Sequence, residues 1–155
     1  MSGHLHVTYC DDIRFERGNK KSFMGVYEAD MFVSSMPALL PKHCIVAAMD
    51  FPVDKRPSEL VVSVTLGEQL LVETDNLASD IASRIPESRQ EHGEVDGQRR
   101  LNFEVHIVLS PFAVEQPSVL RCRAVCDGKT MKAKALRISK QEKTEAANND
   151  GPPLG

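Results

Sequence analysis

The chain has 155 residues, a formal net charge of −3, 41% apolar and 26% charged residues. That length favours one domain able to bury a core without metal or disulfide staples, and so small a charge names no partner class. With no Trp and only two Tyr, a broad aromatic platform for sugars or bases is not expected, and no apolar stretch reaches the ~20 residues of a membrane span.

The opening "MSGHLHVTYCDDIRFERG" has no basic start followed by an apolar run. No signal peptide is therefore expected, and the cytoplasm is the default compartment. Leu5, Val7, Tyr9, Ile13 and Phe15 fall on odd positions, with polar residues between them. Period two of this kind predicts a half-buried strand. Asp11 breaks the apolar row, and an unpaired carboxylate facing a core is too costly. The chain must bulge or turn at Asp11–Asp12. Gly18–Asn19 supplies the next turn. Residues 22–33, "SFMGVYEADMFV", predict a second long strand kinked at Gly25.

Residues 34–42 carry two prolines and predict a loop. Residues 43–51, "HCIVAAMDF", are apolar at both parities and predict a central strand. A proline-marked loop follows, then a hairpin of 60–66 and 69–75 around Gly67–Glu68. Ala78, Ile81, Ala82 and Ile85 have helical spacing. Asp75 or Asn76 can cap that helix and Pro86 end it. Residues 87–98 lack an apolar period and predict a mobile acidic excursion. Residues 101–109 alternate again, with Leu101, Phe103, Val105, Ile107 and Leu109 inward. "SPFAVEQPS" is a loop, and 119–138 form a hairpin around Asp127–Gly128. The polar segment 139–155 predicts a disordered tail.

These elements predict an all-β fold: one antiparallel β-sandwich over 1–138, immunoglobulin-like or C2-like, with one short helix. Parity near its end raises one problem. If Met131, Ala133 and Ala135 face inward, unbroken alternation would bury Arg137 and expose Leu136 and Ile138. A bulge near Ala135–Leu136 restores the pattern.

Chemistry-bearing constellations are sparse. Asp11 and Asp12 read as turn residues, since neighbouring strand side chains point to opposite faces. His4 and His6 share a face without a third ligand. Cys122 and Cys126 stand about 13 Å apart in an extended strand and cannot bridge. Cys10 and Cys44 read as isolated, and all four cysteines as buried thiols. His43 and Cys44 are adjacent, so their side chains diverge. Glu104 and His106 share an outward row. No phosphate loop, dinucleotide fingerprint, nucleophile elbow or zinc-protease motif is present in the sequence. No catalytic residue, metal or cofactor is expected.

The informative feature is the last hairpin. Its register sets Arg123 opposite Lys132 and Arg121 opposite Lys134, all outward. Like charges opposed across strands are destabilising. Solvent, Glu104 on a neighbouring strand, the chain's own acidic segment or an acidic partner would have to balance them. Nucleic acid is possible but not favoured, because interleaved aromatics are missing. The face of Arg121, Arg123, Lys132 and Lys134 is thus the candidate binding site.

The run from Cys10 to Lys42 resembles an uncharacterised family of small bacterial and phage proteins, a domain of unknown function. The resemblance rests on Asp11, Asp12 and Arg14, then Gly18, Asn19 and Lys20, then Gly25, Val26 and Tyr27, then Leu40, Pro41 and Lys42. "PFAVEQPSVLRCRAVCDG" is similar to that family's closing hairpin, and the likeness spans about 5–138. It implies a bacterial or phage-related origin and transfers no catalytic residue. The sequence-level expectation is a non-enzymatic sandwich for protein binding or self-association as a homodimer, with no membrane partner. An accessory or structural component of a phage-like particle, or a hydrolase with a dispersed site, are the alternatives.

Overall fold

In the computed structural model, residues 3–84, 94–95 and 98–142 are described. His4–Cys10 (β1), His43–Pro52 (β6), Gln98–Leu109 (β10) and Glu94–Val95 (β9) make one sheet, in the order β1-β6-β10-β9. The second sheet runs β4-β14-β12-β7-β8, built from Asp30–Val33 (β4), Leu136–Lys140 (β14), Ser118–Cys126 (β12), Leu60–Leu66 (β7) and Gln69–Glu73 (β8). Lys129–Lys132 (β13) also pairs with β12. Two hairpin-sized sheets complete the fold: Asp12–Glu16 (β2) with Lys20–Met24 (β3), and Ala38–Leu40 (β5) with Phe112–Val114 (β11). Among the described residues one α-helix, α1, covers Ala78–Arg84, and a single 3-10 turn covers Val53–Lys55.

The fold is all-β and sandwich-like. Odd residues of β1, β6 and β10 meet even residues of β7, β12 and β14 in one core that includes Val7, Tyr9, Ile45, Phe51, Val62, Leu120 and Leu136. β6 is central in its sheet and buried at seven of its ten positions, as its two-sided apolar run requires. Asn76 caps α1: its Oδ1 accepts from the Ala78 amide at 3.0 Å and also from the Leu60 amide. Ile85 and Pro86 lie outside the described residues. The Asp127–Gly128 turn has φ of 48° and 82°, the doubly positive pair of a type I′ hairpin.

The region after Cys10 differs from the pattern-based expectation. β1 ends at Cys10, and β2 leaves its sheet to pair with β3. Phe15 is 71% exposed and Ile13 half-buried, so neither is a core residue. The long strand expected over 22–33 is two strands in different sheets, separated at Gly25. The expected loops 34–42 and 110–118 contain β5 and β11. The acidic excursion is partly ordered: Glu94–Val95 pairs with Gln98–Arg99, while 85–93 and 96–97 lie outside the described residues. β14 continues to Lys140, past the expected boundary at 138. It pairs with β4 in parallel, a departure from an all-antiparallel sandwich. Residues 143–155, the rest of the expected tail, are outside the described residues.

The expected irregularity near Ala135 is present. β12 and β13 pair from Cys126↔Lys129 to Arg123↔Lys132, and β12 resumes with β14 at Leu120↔Leu136. The hairpin register would have placed residue 135 opposite Leu120. One extra residue is therefore taken up over 133–135, which buries Leu136 and Ile138 and exposes Arg137.

Candidate functional site

The register shift shapes the outer face of the second sheet. Arg123 faces Lys132 as the hairpin register requires. Arg121 does not face Lys134, because β13 has ended; across the sheet it faces Thr65 of β7. The break over 133–135 leaves a notch of about 310 Å³ lined by Arg121, Cys122, Arg123, Lys132 and Ala133. Arg121 and Arg123 are half-buried; Lys132 and Lys134 are exposed.

Among the described residues, no carboxylate forms an ion pair with any of these four cations. Glu104 cannot balance them. It lies in the other sheet, on β10, where it pairs with Lys21 and stands 3.6 Å from His106 Nε2. The next cation along the face, Arg137, is already paired: its Nε lies 2.9 Å from Asp30 Oδ1. Glu73, opposite Ser63 on β8, is the nearest acid in the row of Arg123.

Beneath the notch, the Tyr9 hydroxyl donates to the carbonyl of Lys134 at 2.9 Å. It therefore occupies a carbonyl released where the ladder fails. Burial pushes the Tyr9 hydroxyl up to about 12, with the charge of Arg121 acting in the opposite direction.

A second cluster forms at the corner where β1 ends. The two aspartates part company there. Asp11 Oδ1 accepts from the Tyr27 hydroxyl at 2.6 Å, whereas Asp12 pairs with Lys42. Burial, then the Asp11 bond, pushes the Tyr27 hydroxyl up to about 12. The bond to Lys42 holds the Asp12 carboxyl below its usual range. Gly25, at φ +66°, packs against the Asp11 carboxylate so closely that a Cβ would overlap it. Asp11–Asp12 is thus the corner of a sheet, with each acid tied to a different loop.

Under this corner, Cys10 and Cys44 are cross-strand neighbours rather than isolated thiols. Both are buried, and Cys44 Sγ donates to the Asp11 carbonyl at 3.7 Å. Burial pushes Cys10 up to about 11 and raises Cys44. His43 points the other way, into the core. It sits 5.1 Å from Phe112, 5.8 Å from Tyr27 and 6.3 Å from Tyr9, ring centre to ring centre. Neither ring nitrogen has a partner among the described residues, and burial lowers its pKa to about 4.

His4 and His6 border a shallow pit of about 340 Å³ over Ala48 and Asp50, with Asn102 and Glu104 on the other side. Asp50 is engaged by Arg100 at 2.6 Å and Glu104 by Lys21. No group of three potential ligands among the described residues is placed to hold a metal ion. No described helix is long and apolar enough to cross a membrane.

Periodicity found the cations but not the notch, nor the partners Tyr27, Lys42 and Cys44 at the corner. Those pairs join residues 16 to 33 positions apart, and no local spacing encodes them. Comparison with family models, curated proteins and solved structures finds no match to this chain.

Proposed function

We propose that this protein is a non-enzymatic binding module whose basic face engages an acidic segment of a protein partner. The observation that carries the reading is the notch of Arg121, Arg123 and Lys132, without ion-pair partners among the described residues. Arginines at alternate strand positions leave the backbone about 7 Å apart on one face. An extended peptide repeats its side chains on one face at that same spacing, so alternate carboxylates match them. Guanidinium groups also bind carboxylates in bidentate geometry. The half-buried state of both arginines strengthens such pairs over fully solvated ones.

Protein is favoured over nucleic acid because the face has no aromatic residue for base stacking and the chain is net negative. The non-enzymatic reading is supported by the thiols, which burial raises away from the reactive thiolate.

The test is fluorescence anisotropy with a labelled peptide of alternating Glu and Ser, titrated at low and high salt. Salt-sensitive binding that is lost in the Arg121→Glu, Arg123→Glu double variant is the expected result. Equal binding by wild type and variant, or tighter binding of a DNA duplex than of the peptide, overturns the reading.

A further inference from the structure

Sheet edges invite pairing with other chains unless they are short, charged or covered. Most edges here are managed. β4 and β8 are short, β13 is short and carries Lys129 and Lys132, and the end of β1 is covered through the bridge of Tyr9 to Tyr27. β10 is different. It pairs with β6 from Arg100 to Leu109, but on its other side β9 meets only Gln98 and Arg99. Among the described residues, Leu101–Leu109 is an open edge with no proline, lysine or arginine. Its inward residues Leu101, Phe103, Ile107 and Leu109 remain 6–8% exposed, against 0–2% for Ile45, Ala47, Met49 and Phe51 beside them on β6.

The direction of the free backbone groups follows from the ladder. Tyr9 turns its carbonyl away from β6, towards the Tyr27 amide. Backbone groups alternate sides along a strand. Cys10 and Cys44 therefore exchange bonds between β1 and β6, and Ile45 and Ile107 do so between β6 and β10. The amides and carbonyls of Asn102, Glu104, His106 and Val108 then point out of the open edge.

We propose that a second copy of this chain pairs with this edge, β10 against β10 in antiparallel register, with Val105 on the twofold axis. That register is self-complementary. Inward, Leu101 meets the partner's Leu109 and Phe103 meets the partner's Ile107. Outward, Glu104 meets the partner's His106 in a pair that exchanges backbone hydrogen bonds, and Asn102 meets the partner's Val108. Face matching requires the axis to pass through a residue. Moving it to Glu104 opposes two carboxylates, and moving it to His106 leaves Glu104 facing an apolar Val108. The Val105 axis matches the apolar residues with one another and sets Glu104 against the partner's His106. This surface is on the sheet opposite the basic face and does not depend on the function proposed for that face.

The test is sedimentation velocity of the full chain from micromolar to near-millimolar concentration, with two variants. Wild type sediments as a concentration-dependent dimer. Val105→Cys gives a disulfide-linked dimer under mild oxidation, whereas Val125→Cys, on the other sheet, does not. His106→Pro removes an amide that points away from β6 and shifts the protein to monomer while it still melts cooperatively. A wild type that is monomeric throughout overturns the proposal, as does a dimer that fails to cross-link at 105 or one that persists in folded His106→Pro. If His106→Pro does not fold, the cross-linking result alone decides.

Discussion

The Tyr9 hydroxyl and the Lys134 carbonyl, 2.9 Å apart, join the two sheets through the one place where the β12 ladder is interrupted. Tyr9 is fully buried, and its hydroxyl also lies 3.4 Å from the Leu120 carbonyl. Tyr9→Phe keeps the ring and strands an acceptor. Loss of such a partner costs about 1–2 kcal/mol. Urea denaturation is expected to show a lower midpoint with an unchanged slope. An unaltered midpoint would mean that water replaces the hydroxyl at no cost.

Gly25 and Gly128 separate backbone strain from crowding. Both have positive φ, but a Cβ at Gly25 would meet the Asp11 carboxylate, its Cγ at 2.8 Å, while one at Gly128 meets nothing within 4 Å. Gly128→Ala is expected to cost about 1 kcal/mol from backbone conformation alone. Gly25→Ala must also displace Asp11 from Tyr27, so its cost is expected to exceed about 2 kcal/mol. Paired thermal melts measure the difference. Equal losses would show that the corner yields freely.

His43 makes stability depend on pH. Its folded pKa of about 4 lies below the ordinary 6.5. The unfolded chain therefore binds the proton first. The contribution of His43 is complete above pH 6.5, is lost as pH falls from there towards 4, and changes no further below. The shift corresponds to roughly 3 kcal/mol. His106, also lowered by burial, acts in the same direction. Denaturation midpoints compared between about pH 7.5 and pH 5 should fall in wild type and fall much less in His43→Phe. Parallel curves for the two proteins would exclude His43 as the source.

All four cysteines are buried, and burial raises Cys10 and Cys122 to about 11. Native protein is expected to react with a disulfide reagent only slowly, and all four thiols to appear when it is unfolded. A rapid native burst from any one of them would contradict the burial.

Much of the layering was legible because it is local. Alternation marks which side chains of β1, β10 and β12 turn inward. The Asp127–Gly128 turn fixes the Arg123–Lys132 pair, and the parity conflict at Ala135 locates the register shift. Alternation does not say which sheet a strand joins. Ile13 and Phe15 continue the odd-position rhythm of Val7 and Tyr9, yet belong to a hairpin lying across the outer face, where Phe15 stands 5.5 Å from His106. Three-residue strands such as β5 and β11 are too short to show a period. The facing of Cys10 and Cys44 depends on pairing strands far apart in sequence.

The parallel partnership of β4 with β14 sets an order of events during synthesis. Asp30 and Arg137, bonded to each other, are 107 positions apart. Until the ribosome has released Ile138, Met31 and Val33 have no ladder to join and must wait as uncovered greasy residues. Closing so long a loop is an entropic toll that slows folding. Half-made chains are thus the form most exposed to aggregation, and chaperone dependence should be greatest for nascent polypeptides truncated before β14.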